Sequence, residues 1–129
     1  MIVADCSAIA ALFIGEAAPH LWHRLRAAEG EICAPHLLDV EVLQVLRRLV
    51  RRGQLSTAEA LEARQALHDL RIRRFPHLPL LPRIWELRDN FTAYDATYIA
   101  LAEALDAPLL TCDAAVGPSP LHRAAVERF

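Results

Sequence analysis

Short apolar runs, each long enough for one strand, alternate along this chain with segments of helical periodicity, and that alternation leaves few folds open. The runs are Ile2-Val3-Ala4, Glu31-Ile32-Cys33-Ala34, Ile72-Arg73-Arg74-Phe75 and Pro108-Leu109-Leu110-Thr111-Cys112, with a last candidate between Ala124 and Phe129. Strands that alternate with helices build a parallel sheet covered on both faces, because each crossover must carry the chain back to the starting end. The charged third run reads as an edge strand. The expectation is one α/β domain over residues 1–129, without repeat, linker or low-complexity tract.

Helix signals fill the gaps. Ser7 is placed to cap a helix over Ala8 to Ile14, which Gly15 stops. A second helix is expected from His20 to Ala28, with Leu21, Trp22 and Leu25 at helical spacing. The longest runs from about His36 to Arg52 and ends at Gly53. Ser56 and Glu59 form a capping-box pattern for a helix to about Leu70. Pro79 opens a helix through about Asp89, and Thr92 one through about Leu105, with Tyr94, Tyr98 and Leu101 read as core.

Composition removes several function classes. The chain has 129 residues, 54% of them hydrophobic, enough to bury a core without disulfides. No apolar run reaches the length of a membrane span, and the first residues lack a signal-peptide pattern, so the expected compartment is the cytoplasm. Cys6, Cys33 and Cys112 are odd in number and show no metal spacing, which predicts reduced, buried thiols. All 14 basic residues are arginine. A phosphate-binding P-loop requires a lysine, and Gly15, Gly30, Gly53 and Gly117 are too dispersed for a dinucleotide loop.

Four acids stand out because nothing nearby explains them. Asp5 and Asp113 each follow an apolar strand at its carboxyl end, where open parallel sheets bind ligands; the plainer alternative is that both are turn residues. Glu41 lies at the margin of the long helix's apolar face, with Leu37, Leu38, Gln44 and Val45 at i±3 and i±4. An arginine from elsewhere, such as Arg48 or Arg52, would be needed to pair it if it is buried. Asp95 sits three residues after Thr92, a capping pattern favoured by the helix dipole, yet shares a row with Ile99 and Ala102. Carboxylates about 4 Å apart repel by about 4 kcal/mol at an effective dielectric of about 20. Such a cluster persists with raised pKa values or with a cation inside it. Oxygen-only ligands favour Mg²⁺ or Mn²⁺ over zinc.

At these residues the chain resembles a PIN-domain ribonuclease, and specifically a VapC toxin of a bacterial VapBC toxin–antitoxin pair. The resemblance rests on Ile2-Val3-Ala4-Asp5-Cys6-Ser7-Ala8, Pro35-His36-Leu37-Leu38-Asp39-Val40-Glu41-Val42, Thr92-Ala93-Tyr94-Asp95-Ala96-Thr97-Tyr98 and Leu110-Thr111-Cys112-Asp113, in the family's order across nearly the whole chain. It implies a PIN-like three-layer α/β/α sandwich around a central, mainly parallel sheet of four to five strands. It implies Asp5, Glu41, Asp95 and Asp113 as catalytic, metal-binding acids, with Ser7 and Thr111 steadying them. The activity implied is Mg²⁺- or Mn²⁺-dependent endoribonuclease cleavage, as the toxin partner of a VapB-type antitoxin, in a homodimer that assembles with that antitoxin. One departure is local: many relatives carry a basic residue soon after the last aspartate, and here Ala114-Ala115-Val116-Gly117-Pro118 follows.

Arg47, Arg48, Arg51 and Arg52 crowd the end of the long helix and are the candidates for RNA phosphate; a solvated helix end is the plainer account. Three other readings remain: a PIN-like module that binds RNA or a partner without cutting, a receiver- or phosphatase-like domain, and a structural interaction protein. The missing lysine weighs against the second, and the unpaired Glu41 and Asp95 against the third.

Overall fold

The computed structural model describes residues 1–28 and 31–129. Five strands, β1 (Ile2–Ala4), β2 (Ile32–Pro35), β3 (Ile72–Phe75), β4 (Leu109–Thr111) and β5 (Val126–Arg128), form one sheet in the order β3-β2-β1-β4-β5. Every pairing is parallel, with Val3 beside Cys33 on one side and Leu109 on the other. The expected sheet of four to five strands is therefore a fully parallel one of five, with β3 and β5 at its edges.

Parallel pairing makes every connection a crossover. From β1 to β3 the chain steps one way, through α1 (Cys6–Phe13), α2 (Pro19–Ala27), α3 (Leu37–Arg51) and α4 (Thr57–Asp69). It then returns past β1 through α5 (Leu81–Glu86) and α6 (Ala93–Leu105) to β4. Right-handed crossovers in opposite directions put the two helix groups on opposite faces, giving three layers. The direction reverses between β1 and β4, so a crevice opens beyond their carboxyl ends.

The core lies where α6 crosses the sheet. Its residues Ala96 to Ala102 are all buried, and Ala4, Leu109 and Leu110 beneath them have no exposed surface. Small Ala96, Ala100 and Ala102 let the helix backbone approach the strands, while Ile99 and Leu101 supply apolar area, each side chain contributing about 2 kcal/mol on burial. Three paired arginines brace the layers: Arg74 to Asp39, Arg24 to Glu127 on β5, and Arg83 to Glu103 on α6.

Most element expectations hold, and the differences have local causes. Asp5 rather than Ser7 caps α1, so that helix begins at Cys6. The Pro79 segment is a 3₁₀ turn over Leu78–Leu80 followed by short α5, since Pro82 lacks the N–H that would continue a single helix from Pro79. Gly15 and Gly53 adopt positive φ at the ends of α1 and α3, as the stop signals require. Tyr94 is 60% exposed rather than core. Of the three thiols only Cys33 is buried; Cys6 is half-buried and Cys112 exposed. Among the described residues no helix is long and apolar enough to cross a membrane.

A carboxylate cleft at the carboxyl ends of the strands

Asp5, Glu41, Asp95 and Asp113 line one cleft of about 650 Å³. Each comes from a different element. Asp5 ends β1, Glu41 lies in the second turn of α3, Asp95 in the first turn of α6, and Asp113 follows β4.

Asp5 is 6% exposed and fixed on two sides. Its backbone N–H donates to Leu110 O at 3.1 Å, tying the end of β1 to β4. Its Oδ1 accepts from the Ala8 N–H at 3.0 Å and from the Ser7 hydroxyl at 2.6 Å. Ser7 has one proton, which an ionised Asp5 takes, so the Thr111 hydroxyl 3.2 Å away must donate to Ser7 Oγ. Ser7 Oγ also accepts from the Cys112 N–H at 2.8 Å, and Thr111 Oγ1 accepts from the Asp113 N–H at 2.9 Å. A continuous hydrogen-bonded ladder thus runs from the backbone of Asp113 through Thr111 and Ser7 to Asp5. Asp5 also lines the cleft.

Glu41 meets Tyr98, whose hydroxyl donates to Oε1 at 2.7 Å. Tyr98 is only 2% exposed. The buried ring belongs to the core as expected, but its hydroxyl is a site element that sequence reasoning missed. The signal was available in principle, since a phenol in an apolar core must find a partner. Asp95 donates its backbone N–H to Thr92 Oγ1 at 3.1 Å. The capping account of Asp95 is therefore correct, and its carboxylate still opens to the cleft. Asp113 is exposed, and its Oδ1 accepts from the Ala115 N–H at 2.8 Å, closing a turn.

Among the described residues none of the four carboxylates forms an ion pair. Burial pushes Asp5, Glu41 and Asp95 above their ordinary carboxylate range. Hydrogen bonds from Ser7, Tyr98 and Thr92 respectively pull them partly back, and the charges of neighbouring acids push upward again. Cys6 feels the same field: burial, then Glu41 and Asp5, push its thiol up to about 12. Of the four arginines at the end of α3, only Arg48 lines this cleft, and it does so without an ion pair among the described residues. Arg47 and Arg51 line a separate groove against α4, and Arg52 is exposed at the α3 terminus. Among the described residues no three His, Cys, Asp or Glu side chains are already drawn together to hold a metal ion. The donor set is nonetheless the one a hard cation takes: carboxylates that line one cleft and, among the described residues, form no ion pair.

Residues 2–117 match the PIN domain family. The chain is 43% identical over 113 residues to Ribonuclease VapC9 of Mycobacterium tuberculosis, covering 88% of this chain and 86% of that protein. It is 39% identical over 129 residues to Ribonuclease VapC12 of the same organism, covering 98% of each. Among solved structures it resembles PAE2754 from Pyrobaculum aerophilum, with a TM-score of 0.73 at 22% identity, over 97% of this chain and 81% of the other.

Proposed function

The chain belongs to the PIN-domain family, in its VapC branch, and we propose that it is a divalent-metal-dependent endoribonuclease, the toxin of a toxin–antitoxin pair. One observation carries the chemical reading. Four carboxylates share a cleft in which three are held above their ordinary range and, among the described residues, none has an ion-pair partner. Such a site repels an RNA phosphate unless a cation is bound with it.

Asp5, Glu41, Asp95 and Asp113 would hold Mg²⁺, or Mn²⁺ in its place. A cation bound there supplies Lewis acidity at the scissile phosphate and a water of lowered pKa. The chain's own residues do the rest. Ser7 and Ala8 fix Oδ1 of Asp5 at the wall of the cleft. Tyr98 fixes Glu41 Oε1 and leaves Oε2 open. Thr111 anchors both Ser7 and the backbone of Asp113, so the ligands from β1 and β4 move as a unit. Asp95 is carried on the most deeply buried helix, which limits its movement. Hydrolysis would leave a 5′-phosphate and a 3′-hydroxyl, with Asp5 and Asp95 in direct metal contact. Arg48 is the candidate among Arg47, Arg48, Arg51 and Arg52 to meet substrate phosphate at the cleft; the other three would act farther out.

A VapB-type antitoxin, a homodimeric toxin and a cytoplasmic location belong to the same reading, as does a single PIN-like domain over residues 1–129. The half-exposed Trp22, beside Leu12 and Leu25 in a groove of about 590 Å³, supports an antitoxin surface there. Purified wild type should cleave single-stranded RNA with Mg²⁺ and stop in EDTA, while Asp5→Asn and Asp95→Asn remain folded and inactive. A folded Asp5→Asn protein with wild-type cleavage would end this assignment.

A further inference from the structure

Beside the carboxylate cleft lies a second, smaller groove. That groove, about 200 Å³, is walled by Leu37, His77, Leu81 and Tyr94, and both Leu37 and Tyr94 also line the carboxylate cleft. Tyr94 is thus the ridge between the two spaces. It immediately precedes Asp95 in the first turn of α6 and is 60% exposed, although α6 is otherwise the most buried helix. An aromatic ring this exposed loses apolar contact area and is not explained by packing. The carboxylate cleft is also lined by Arg48, which forms no ion pair among the described residues. Glu41, Gln44 and Arg48 recur on one face of α3, so Arg48 stands about 10 Å along the helix axis from Glu41. Acids, then, hold one end of the cleft; an arginine stands along one wall, and a planar ring leads out to a mostly apolar groove.

We propose that Tyr94 is a stacking platform for one nucleobase of single-stranded RNA, seated in the small groove beside the scissile phosphate, while Arg48 holds a neighbouring backbone phosphate. This rests on the nuclease reading and adds the strand's form and path to it. Every base offers a π-face to an aromatic ring, but only an unpaired, unstacked base can reach one projecting from a groove of this size. The guanidinium of Arg48 suits a phosphate by its fork of donors. Duplex RNA, whose bases remain stacked within the helix, would lack the Tyr94 contact.

Fluorescence of RNA 8-mers carrying 2-aminopurine at successive positions tests this with Ca²⁺ in place of Mg²⁺, so that a hard cation neutralises the acids, and at times too short for cleavage, so that binding alone is read. Wild type should quench the probe at one position, Tyr94→Phe should retain that quenching, and Tyr94→Ala should lose it while weakening binding about tenfold. With Mg²⁺ present, Tyr94→Ala should raise KM by a similar factor and flatten the base preference at one position flanking the cut. Quenching that survives in Tyr94→Ala overturns the proposal, and so does a Tyr94→Ala protein that binds RNA normally but changes its oligomeric mass, which would assign the ring to a protein contact. Position-specific quenching without any Mg²⁺-dependent cleavage would support the platform and reject the nuclease reading. Cleavage with unaltered quenching in Tyr94→Ala would do the reverse.

Discussion

The hydroxyl of Tyr98 lies 2.7 Å from Glu41 Oε1, joining α6 to α3 across 57 positions of sequence at the floor of the carboxylate cleft. Asp95 lies on the same helix one turn earlier, so a single helix delivers one acid and fixes another. The core that buries Tyr98 and Ile99 therefore also sets the spacing of the site.

Removing that hydroxyl should matter twice. Tyr98→Phe keeps the ring and deletes one hydrogen bond to a charged group, a loss of about 1–2 kcal/mol in stability at neutral pH. Glu41 is then freed to rotate, so the Mg²⁺ concentration for half-maximal cleavage should rise by about tenfold. Urea denaturation and a Mg²⁺ titration of cleavage measure the two effects separately.

The three acids with raised pKa values, Asp5, Glu41 and Asp95, predict an inverted pH response without metal. Their folded pKa values are raised, so the stability they allow is complete below the unfolded carboxylate pKa and is lost as pH rises through the folded values. As pH falls from neutral towards the unfolded carboxylate values, about pH 4, thermal melts in EDTA should show the protein gaining stability from these acids as protons are added. Asp95→Asn should flatten part of this slope and raise Tm at neutral pH. A wild-type Tm that falls steadily over that interval would contradict the electrostatic description of the cleft.

Arg83 supplies the opposite case. It binds Glu103 through two hydrogen bonds of 2.8 and 3.0 Å, and the Glu103 side chain is only 4% exposed. Arg83 holds the Glu103 carboxyl below its ordinary range, so this pair stabilises above the unfolded pKa and fades as pH falls through the folded value. Arg83→Met should cost about 1–3 kcal/mol at neutral pH, after allowance for the partly exposed arginine. That difference from wild type should shrink below about pH 4. Denaturant midpoints at two pH values suffice to see it.

Thiol reactivity probes the field of the acids directly. Cys6 lies beside Asp5 with its thiol pushed up to about 12, and Cys33 is buried, whereas Cys112 is exposed. At neutral pH iodoacetamide should label Cys112 first, and Cys6 only after unfolding. Mass spectrometry that finds Cys6 labelled as fast as Cys112 in the folded protein would contradict the site's geometry.

Much of this was legible in the sequence because it rests on local chemistry. Ser56 and Glu59 form the reciprocal capping box their spacing predicts, and Gly53 closes α3. The alternation of short strands with helices led directly to the parallel sheet. What stayed hidden depended on direction or on distant contact. Asp5 and Ser7 are both competent caps, and only the path of the backbone leaving β1 decides between them. Tyr94 and Tyr98 share a helix face, but the first turn of α6 overhangs the crevice, so one ring is bare and the other enclosed. Arg48 could have been separated from its three neighbours by noting that it stands seven residues, about two turns, from Glu41. No local pattern links Tyr98 to Glu41, because their encounter is created by the packing of α6 and α3 over the sheet.

Direct binding of Mn²⁺, followed by electron paramagnetic resonance of the free ion, addresses the carboxylate cleft without relying on activity. Wild type should remove Mn²⁺ from the free pool, Mg²⁺ should compete for it, and Asp95→Asn or Glu41→Gln should weaken uptake by about tenfold or more while the fold is kept. Equal Mn²⁺ uptake by wild type and by folded Asp95→Asn and Glu41→Gln proteins would show that these acids do not hold the cation.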